Sequence, residues 1–478
     1  MSVKELTPLG FGGYRIDNRF AEHSDALSYA LTSGISVIDT SSNYSDGRSE
    51  LLIGNVLYDL FNAGTVNRED LTVITKVGYL QGQNYKSALK RENTDKQFHE
   101  VVKYSEGLWH CIHPEFLENQ LSHQLSRLNL KFIDIYLLHN PEYFLIDSKK
   151  RNVDSSVAQQ EYYRRIKDAF IFLESKVRDG SIGAYGVSSN TFPLENDEYT
   201  FTSLENLNEI ASEISYESNF KFIQLPFNII EPGALLTKNQ LGGSLSTLDY
   251  ARNNGIKVLV NRPFNTISSK GLVRTVDYET GVFIEKDFVA GLTLCRRKET
   301  ELNKFLREKG DFHFANQLVI SGEVEKNWKS FGSIENFNDM LEYFFSPRLN
   351  NFYDLAESCK LEGSVLNLFD EYISSVNIVL NLLGNYYRNN NASKNKFFHL
   401  SLNKYLPEEF HKLPLSQKTL QILRSVEGVE CILVGARKKK YVDDIIGVLD
   451  LPKLNNSYDI IKSLHSDMIN AEYHSADL

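Results

Sequence analysis

The stretch "ISVIDTSSNYSDGRSELLIGNVLYDLFNAG", residues 35–64, contains one complete strand–loop–helix unit. It begins with a short, mainly apolar run that ends at Asp39, as a buried strand does. A polar loop follows, and from residue 49 onward the apolar residues recur every three or four positions, which is typical of a helix with one buried face. Gly64 ends this pattern at the position where a helix C-cap favours glycine. The stretch therefore predicts a β/α unit.

The same alternation recurs along the whole chain. Eight runs have the character of short strands: 9–14, 35–40, 71–77, 132–139, 182–189, 220–228, 256–264 and 431–437. Helical patterns lie between them at 24–34, 49–64, 114–130, 161–180, 244–255 and 415–428. Alternating strands and helices imply parallel strands, and eight such units favour a closed barrel over an open sheet. We therefore predict an α/β fold, a (β/α)8 TIM barrel.

Two stretches are too long for the loops of a compact barrel, residues 78–113 and 266–412. The longer one has helical patterns of its own, which predict a mainly helical insertion subdomain. Within it, "RNNNASKNK" at 388–396 is predicted to be a solvated turn. The predicted domains are barrel units one to seven in 1–265, the helical insertion in 266–412, the last barrel unit in 413–455 and a C-terminal tail in 456–478.

Composition excludes several classes of protein. A net charge of −10 and a pI near 5.7 disfavour nucleic-acid binding, which needs a concentrated excess of Lys and Arg. The four cysteines form no CxxC pair, so we expect reduced thiols rather than a zinc knuckle or a disulfide framework. No signal-peptide core opens the sequence, and no apolar run reaches about 18 residues. We expect a cytoplasmic protein without nucleic-acid or membrane partners.

The ends of the predicted strands carry side chains suited to proton transfer. The second strand ends at Asp39, with Tyr44 in the loop beyond it, the third ends at Lys76 and the fourth at His139. Because the parallel strands of a barrel all end around one mouth, we expect these side chains to meet. An ammonium group makes a neighbouring phenol a better proton donor, a carboxylate anchors the ammonium, and a neutral imidazole donates to a substrate oxygen. Each residue alone has an ordinary structural explanation, but the four together indicate a catalytic site.

These residues lie in motifs that resemble the aldo-keto reductases. The motifs are "VIDTSSNY" through "LLIG", "VITKVG", "IDIYLLHNP", "YGVSSN" and "FIQLPFN", in the family's order and spacing. The resemblance covers about residues 5–265 and 413–450, and it matches the family's catalytic tetrad to Asp39, Tyr44, Lys76 and His139. The "HNP" ending and the loop "DTSSNYSDGRSE" look closer to the aldose and galactose dehydrogenase branches than to the aldose reductases. A sugar or sugar-like aldehyde is therefore the substrate class that the resemblance suggests.

The resemblance also implies a cofactor, NADP with NAD as the alternative, and neither metal nor flavin. The residues expected to bind this cofactor are Gly12, Gly13, Ser188, Asn190, Gln224, Arg262, Gly435, Arg437 and Lys438. The motif "GVSSN" leaves open whether Ser189 or Asn190 contacts the nicotinamide amide. After the seventh strand, "VNRPF" carries Asn261 and Arg262 where many relatives stack an aromatic residue on the nicotinamide. We therefore do not expect that stacking here, and we expect Arg262 to reach the pyrophosphate. Basic side chains and free amides at the start of a helix suit a phosphate, which explains Gly435, Arg437 and Lys438.

These features predict an NAD(P)H-dependent oxidoreductase acting on a small carbonyl or sugar, and they disfavour two other interpretations. "HCIH" at 110–113 could hold a metal, but no second ligand cluster accompanies it, so an ordinary loop end is favoured. A Schiff-base lyase using Lys76 is disfavoured because Asp39 and Tyr44 would pair that lysine as a cation. The alternative from another class is a cofactor-binding scaffold or regulatory subunit that meets a protein partner through its insertion.

Overall fold

Eight parallel strands form a closed barrel in the computed structural model, which describes residues 5–268, 271–308, 318–358 and 363–476. We number these strands β1 to β8: Leu9–Gly12, Val37–Asp39, Thr72–Val77, Ile133–His139, Ile182–Ser188, Phe220–Pro226, Lys257–Asn261 and Val429–Val434. Each strand pairs in parallel with the strands before and after it, and β8 pairs with β1 to close the ring. The predicted (β/α)8 barrel is confirmed.

The interior of the barrel is filled by apolar side chains from all eight strands or their immediate flanks. Its members are Leu6, Val37, Ile74, Ile135, Leu137, Ala184, Phe222, Leu259, Cys431 and Leu433. A packed interior leaves no pore, so chemistry is confined to the mouth formed by the strand ends. Strand β5 needs Gly186, because a Cβ there would lie 1.9 Å from the carbonyl oxygen of Phe222 on β6.

Helices surround the barrel, and every helical segment predicted between the strands overlaps one of them. The longer helices of this unit are Ala21–Thr32, Arg48–Asn62, Pro114–Leu128, Ser155–Arg178, Leu204–Ile214, Thr247–Asn253, Leu415–Arg424, Lys439–Leu449 and Ser457–Ala476. Shorter ones are Tyr143–Lys150 and Gly233–Leu236. No helix was predicted for Leu204–Ile214, although Ser203 caps its N-terminus by accepting from the Asn206 amide. None of the described helices has the length and apolarity needed to span a membrane.

The loop after β3 is a folded elaboration rather than an open segment. It contains the helix Gly82–Glu92 and an antiparallel sheet of Tyr79–Leu80, Leu108–His110 and Val102–Ser105. The amide of Cys111 donates to the carbonyl oxygen of Gly78 at 2.8 Å, which fixes the end of the elaboration beside the end of β3. The long loop therefore brings its own side chains to the barrel mouth.

The chain divides into two compact units, residues 1–266 with 412–478, and residues 267–411. The second unit is mainly helical, and its helices are Glu285–Glu308, Ile320–Asn327, Ile334–Met340, Ser346–Ser358 and Gly363–Asn403, with a π-helical turn at Leu341–Phe345 and a short 3₁₀ turn at Glu408–Phe410. Strands Asn265–Ser268 and Gly271–Arg274 form a small sheet at the start of this region. The second unit has its own apolar core, to which Phe288, Phe369 and Leu383 belong.

The prediction of a solvated turn at 388–396 is wrong, because the whole segment lies inside the helix Gly363–Asn403. Asn391 and Asn395 are buried, and the Asn391 amide donates to Glu335 Oε2 at 3.1 Å. Asn395 donates to the carbonyl oxygen of Val276. These two asparagine side chains therefore form hydrogen bonds with distant residues of the unit instead of with water. The polar composition of the segment does not indicate these partners.

Candidate active site

The four residues predicted to be catalytic lie together at the barrel mouth. The Lys76 ammonium nitrogen is 2.7 Å from Asp39 Oδ2 and 3.1 Å from the Tyr44 hydroxyl. The rings of Tyr44 and His139 meet edge to face with their centroids 5.9 Å apart. Three neighbouring strands, β2, β3 and β4, supply Asp39, Lys76 and His139, and their side-by-side pairing explains this convergence.

Tyr44 is placed by a tight loop between β2 and the next helix. Ser45, Asp46 and Gly47 have φ values of 48°, 56° and 83°, so three successive residues adopt the left-handed conformation. Gly47 does so at no steric cost, whereas the conformation is uncommon for the two residues before it. The Ser45 hydroxyl holds the loop by donating to the carbonyl oxygen of Ile16 at 2.7 Å. The chain thus reverses directly after Tyr44 and leaves its hydroxyl beside Lys76.

All three donors of the Lys76 ammonium group are in use. They go to Asp39 Oδ2, to the Tyr44 hydroxyl oxygen and, at 2.8 Å, to the carbonyl oxygen of Thr40. Because Tyr44 accepts from Lys76, its own O–H proton is free to point away from the lysine. The fully buried lysine has no spare hydrogen-bonding position and is held as a cation, as the argument against a Schiff-base nucleophile assumed.

Burial controls the proton affinities of these groups. It raises the pKa of Asp39 and lowers the pKa of Lys76, and the ion pair between them opposes both shifts. Burial, followed by the nearby Asp39 carboxylate and Tyr14, holds the pKa of Tyr44 well above its usual range. Lys76 was predicted to make Tyr44 release its proton more easily, but burial has the larger effect on the pKa of Tyr44 and raises it. Tyr44 therefore stays protonated.

His139 is held in an aromatic and polar pocket. Its Nδ1 lies 3.0 Å from the Ser41 hydroxyl, and the ring of Tyr79 meets it edge to face at 4.7 Å. Burial, then Lys76 and His110, hold the pKa of His139 well below its usual range, so the imidazole is neutral. His110 also bonds through Nε2 to the backbone oxygen of His139 at 2.7 Å, which ties the β3 elaboration to the end of β4.

Gln224 links the predicted catalytic residues to the predicted cofactor-binding residues. Its amide nitrogen donates to Asp39 Oδ1 at 2.9 Å, and its oxygen accepts from Ser188 Oγ at 3.3 Å and from the Asn261 amide at 3.2 Å. The predicted cofactor residues Ser188 and Gln224 thus touch each other, and Gln224 touches the tetrad directly.

Ser189 and Asn190, the two candidates after β5, have different surroundings. Ser189 points inward and bonds to Thr191 Oγ1 at 3.0 Å, whereas the Asn190 side chain is exposed. The backbone amide of Asn190 donates to the buried Glu142 carboxylate at 2.9 Å. Burial raises the pKa of Glu142 to about 7. Glu142 was not among the predicted site residues, although it lies three residues beyond His139.

The end of β7 carries polar atoms that the described residues leave unsatisfied. Asn261 Oδ1 and Arg262 Nε are buried and have no hydrogen-bond partner within that part of the chain. Arg262 has a φ of 52°, and its backbone oxygen accepts from the Asn228 amide at 3.2 Å. A left-handed backbone conformation and a buried Nε–H group without a partner among the described residues are features typical of an arginine that binds an anion.

The remaining predicted cofactor residues lie at the ends of β1 and β8. A Cβ on Gly13 would lie 2.8 Å from the backbone oxygen of Asp39, and one on Gly12 would lie 3.4 Å from the Gly435 amide, so both positions allow close backbone approach. Arg437 and Lys438 are exposed, and Lys438 pairs with Glu22 at 3.3 Å. The helix Lys439–Leu449 begins after Lys438 with no side-chain cap, which leaves its first amides available to an anion.

The "HCIH" motif forms part of the loop structure. His110 bonds to the backbone of His139, Cys111 is buried, and His113 caps the helix Pro114–Leu128 by accepting from the Glu115 amide. Within the described ranges, no three His, Cys, Asp or Glu side chains form a group that could hold a metal ion.

Comparison with known proteins now identifies the family. The model of the Aldo/keto reductase family matches residues 8–274, which is more than half of the chain. The chain belongs to this family. The predicted family resemblance is confirmed, and the match includes seven of the eight barrel strands together with all four tetrad residues.

Curated relatives of this aldo/keto reductase match over parts of its length. It is 30% identical over 115 residues to the NADH-specific methylglyoxal reductase of Escherichia coli K12, a match that covers 24% of this chain and 30% of that enzyme. It is 23% identical over 295 residues to aldose reductase B of Dictyostelium discoideum, covering 57% of this chain and 79% of that protein. The chain therefore spans less than a third of the first relative and most of the second.

Solved structures of aldo-keto reductases are also similar to this chain. One from Bacillus halodurans, in its holo form, has 15% identity and a TM-score of 0.46 over 96% of this chain and 92% of that one. Another, from Klebsiella pneumoniae in complex with NADP and acetate, has 12% identity and a TM-score of 0.42 over 96% and 92% of the two chains.

Proposed function

We propose that this aldo/keto reductase interconverts a carbonyl and an alcohol with NAD(P)H as hydride carrier and Tyr44 as general acid and base. The observation that carries the proposal is the chain of contacts from Asp39 through Lys76 to the Tyr44 hydroxyl, at 2.7 and 3.1 Å. Family membership supports the class of reaction.

The cofactor that the family implies is supported by the donors and acceptors present. Gln224 and Ser188 form a polar pair suited to the nicotinamide carboxamide, and exposed Asn190 is better placed for that contact than inward-pointing Ser189. The unpaired Arg262 Nε suits a pyrophosphate, and the uncapped helix start beside Arg437 and Lys438 suits the adenosine phosphate. NADP is the proposed cofactor, with NAD as the alternative.

When bound, the reduced nicotinamide supplies the hydride. Side chains of this protein transfer the proton and orient the substrate oxygen. Lys76 donates to the Tyr44 oxygen, so the Tyr44 proton is directed away from the lysine and toward the substrate oxygen, to which it is transferred. Lys76 then stabilises the phenolate left on Tyr44, and Asp39 keeps Lys76 charged and oriented. Neutral His139 orients the substrate oxygen with a hydrogen bond. In alcohol oxidation the same groups act in reverse.

The proposed substrate is a small carbonyl compound, with sugars or sugar-like aldehydes as the class to test first. The "HNP" ending and the loop around Tyr44 resemble the aldose and galactose dehydrogenase branches. Relatives named for methylglyoxal and aldoses also favour small oxygen-rich aldehydes. The rings of Tyr14 and Tyr79, which flank Tyr44 and His139 at 5.1 and 4.7 Å, offer apolar faces to such a substrate.

The decisive experiment compares cofactor binding with turnover. NADPH and NADH are titrated by fluorescence, and reduction of 4-nitrobenzaldehyde and an aldose panel is followed at saturating cofactor. Tyr44→Phe is expected to lower kcat by about 100- to 10,000-fold while keeping cofactor affinity. Tyr58→Phe, at an exposed position on the helix Arg48–Asn62, is the matched control and should behave as wild type.

Binding of both nucleotides without turnover of any aldehyde, ketone or sugar would instead favour the scaffold interpretation. Trapping of substrate on Lys76 by borohydride would favour the lyase. Either result contradicts the proposed oxidoreductase.

A further inference from the structure

The His139 imidazole has one proton and two nitrogens with different surroundings. The ring is buried among Tyr44, Tyr79 and His110, and it is neutral for the reasons given above. A neutral imidazole can donate from one nitrogen only, and the partner of the other nitrogen decides which one. At Nδ1 the partner is the Ser41 hydroxyl, 3.0 Å away.

Ser41 is the first member of a short relay that leads away from the histidine. The Ser41 hydroxyl lies 2.7 Å from Oδ1 of Asn43, to which it donates, and the Asn43 amide nitrogen donates to Gln81 Oε1 at 3.0 Å. The carbonyl oxygen of Lys76 is a weaker neighbour of the hydroxyl at 3.3 Å. Since Ser41 has only one proton, donating to Asn43 obliges it to accept from His139 Nδ1.

The direction of the relay can be reversed without moving its atoms far. A half-turn of a side-chain amide exchanges its oxygen and nitrogen, so the same distances allow Gln81 to donate to Asn43, and Asn43 to donate to Ser41. Ser41 then donates to His139 Nδ1, and the imidazole proton resides on Nε2. The two directions of the relay therefore correspond to the two tautomers of His139.

We propose that Ser41, Asn43 and Gln81 form a positioning relay that runs from Gln81 toward His139 and holds the imidazole with its proton on Nε2. The inference rests on the proposed function in one respect: a substrate carbonyl oxygen needs a donor, and only the Nε2-protonated ring supplies one. None of the three relay residues touches the reacting atoms. They act by selecting the tautomer of His139.

The chain provides variants that reverse or break the relay. Gln81→Glu places a group that only accepts at the end of the relay, so Asn43 must turn its nitrogen toward residue 81 and its oxygen toward Ser41. Ser41 then donates to Asn43, and the proton of His139 moves to Nδ1. Gln83→Glu introduces the same charge two residues away at an exposed position and is the matched control.

Ser41→Ala removes the hydroxyl and with it the preference for one tautomer. Its control is Ser42→Ala, because the adjacent Ser42 hydroxyl is also buried but has no hydrogen-bond partner among the described residues. Loss of a buried hydroxyl is thus matched in both variants, whereas contact with His139 is lost in only one.

The test combines nitrogen NMR of histidine-labelled full-length protein with kinetics. The His139 resonances, assigned by their loss in His139→Gln, are expected to show a protonated Nε2 in the wild type and in both control variants. Gln81→Glu should move the proton to Nδ1 and lower kcat for aldehyde reduction by about 10- to 100-fold with unchanged NADPH affinity. Ser41→Ala should give a mixture of tautomers and a smaller loss of kcat.

A wild-type His139 protonated on Nδ1 would overturn the proposal, as would an unchanged tautomer in both Gln81→Glu and Ser41→Ala. The NMR result does not depend on turnover. If the tautomer responds as expected but no carbonyl compound is reduced, the relay stands and the proposed reaction fails.

Discussion

The side-chain amide of Gln224 donates to Asp39 Oδ1 across 2.9 Å, although the two residues lie on opposite sides of the barrel. Asp39 ends β2 and Gln224 lies on β6, four strands away in either direction around the ring. A residue proposed to recognise nicotinamide thereby also holds the carboxylate that anchors Lys76. In the proposed function, Gln224 therefore connects cofactor recognition with proton transfer.

Replacing Gln224 with methionine tests this shared role. Gln224→Met keeps the length of the side chain but removes both the donor to Asp39 and the acceptor for the carboxamide. We expect the Kd for NADPH to rise by up to about tenfold, since a hydrogen bond to the neutral carboxamide contributes roughly 0.5–1.5 kcal/mol. We also expect kcat to fall, because Asp39 loses one of its donors.

The matched control for that prediction is Gln240→Met. Gln240 is equally buried, but its amide bonds to Asn239 Oδ1 and the Glu205 backbone away from the tetrad. Gln240→Met should lower the stability of the protein without changing the Kd for NADPH. Equal affinities in the two variants, measured by fluorescence titration, would contradict the role given to Gln224.

The barrel unit should be sensitive to the loss of one partner of a buried ion pair, Glu50 and Arg127. Glu50 is fully buried and accepts from Arg127 Nε at 2.7 Å, from Thr75 at 2.7 Å and from Gln124 at 2.8 Å. Arg127→Leu leaves this carboxylate without its counter-charge and is expected to cost about 3–5 kcal/mol in the free energy of unfolding.

Urea unfolding of Arg127→Leu is compared with that of two other variants. Arg151→Leu removes an exposed pair with Asp147 and should cost at most about 1 kcal/mol. Glu50→Gln combined with Arg127→Leu removes both buried charges and should recover part of the loss. A double variant less stable than Arg127→Leu would show that the carboxylate charge is not the source of the penalty.

Glu142 should make the stability of the protein depend on pH in an unusual direction. Burial raises its pKa from 4.5 to about 7, so the folded state holds the proton more tightly than the unfolded state does. As pH rises from about 4.5 through 7, the unfolded state releases this proton first, and stability falls by roughly 3 kcal/mol from this group alone.

The Glu142→Gln variant removes this titration. The variant is expected to become more stable relative to wild type as pH increases from about 5 to about 8, because only the wild type loses stability through Glu142 over this range. Urea denaturation at a series of pH values measures the difference. A difference that is constant with pH would show that Glu142 is charged in the folded protein throughout that range.

The two compact units should respond separately to a mutation in the core of one of them. Leu383 is fully buried in the core of the helical unit, and Leu383→Ala is expected to destabilise that unit by about 2–5 kcal/mol. Leu366→Ala, at an exposed position on the same helix, is the control.

The chain supplies one tryptophan reporter for each unit. Trp109 lies in the elaboration after β3, and Trp328 packs against the core of the helical unit. In a Trp109→Phe background the Trp328 fluorescence should report an earlier unfolding transition for Leu383→Ala. In a Trp328→Phe background, the unfolding transition reported by Trp109 fluorescence should be unchanged by Leu383→Ala. A shift of both transitions together would show that the units unfold as one.

Short-range patterns were sufficient to predict the architecture. The eight strands and the helices between them are encoded by local apolar periodicity, and β/α alternation leaves few topologies. Loops were predicted less well. The asparagine-rich segment at 388–396 resembled a solvated turn because composition does not show that Asn391 meets the Glu335 carboxylate inside the helical unit.

The sequence by itself determined which side chains reach the barrel mouth, because a residue at the end of a parallel strand has only one edge of the sheet to occupy. Asp39, Lys76 and His139 follow from that rule, and Tyr44 follows from its place in the adjoining loop. Only the tertiary structure decided what these groups do to one another. The three bonds of Lys76, the bond from Gln224 to Asp39 and the burial that keeps Tyr44 protonated all depend on distances and exclusion of water, and these arise between residues far apart in the chain.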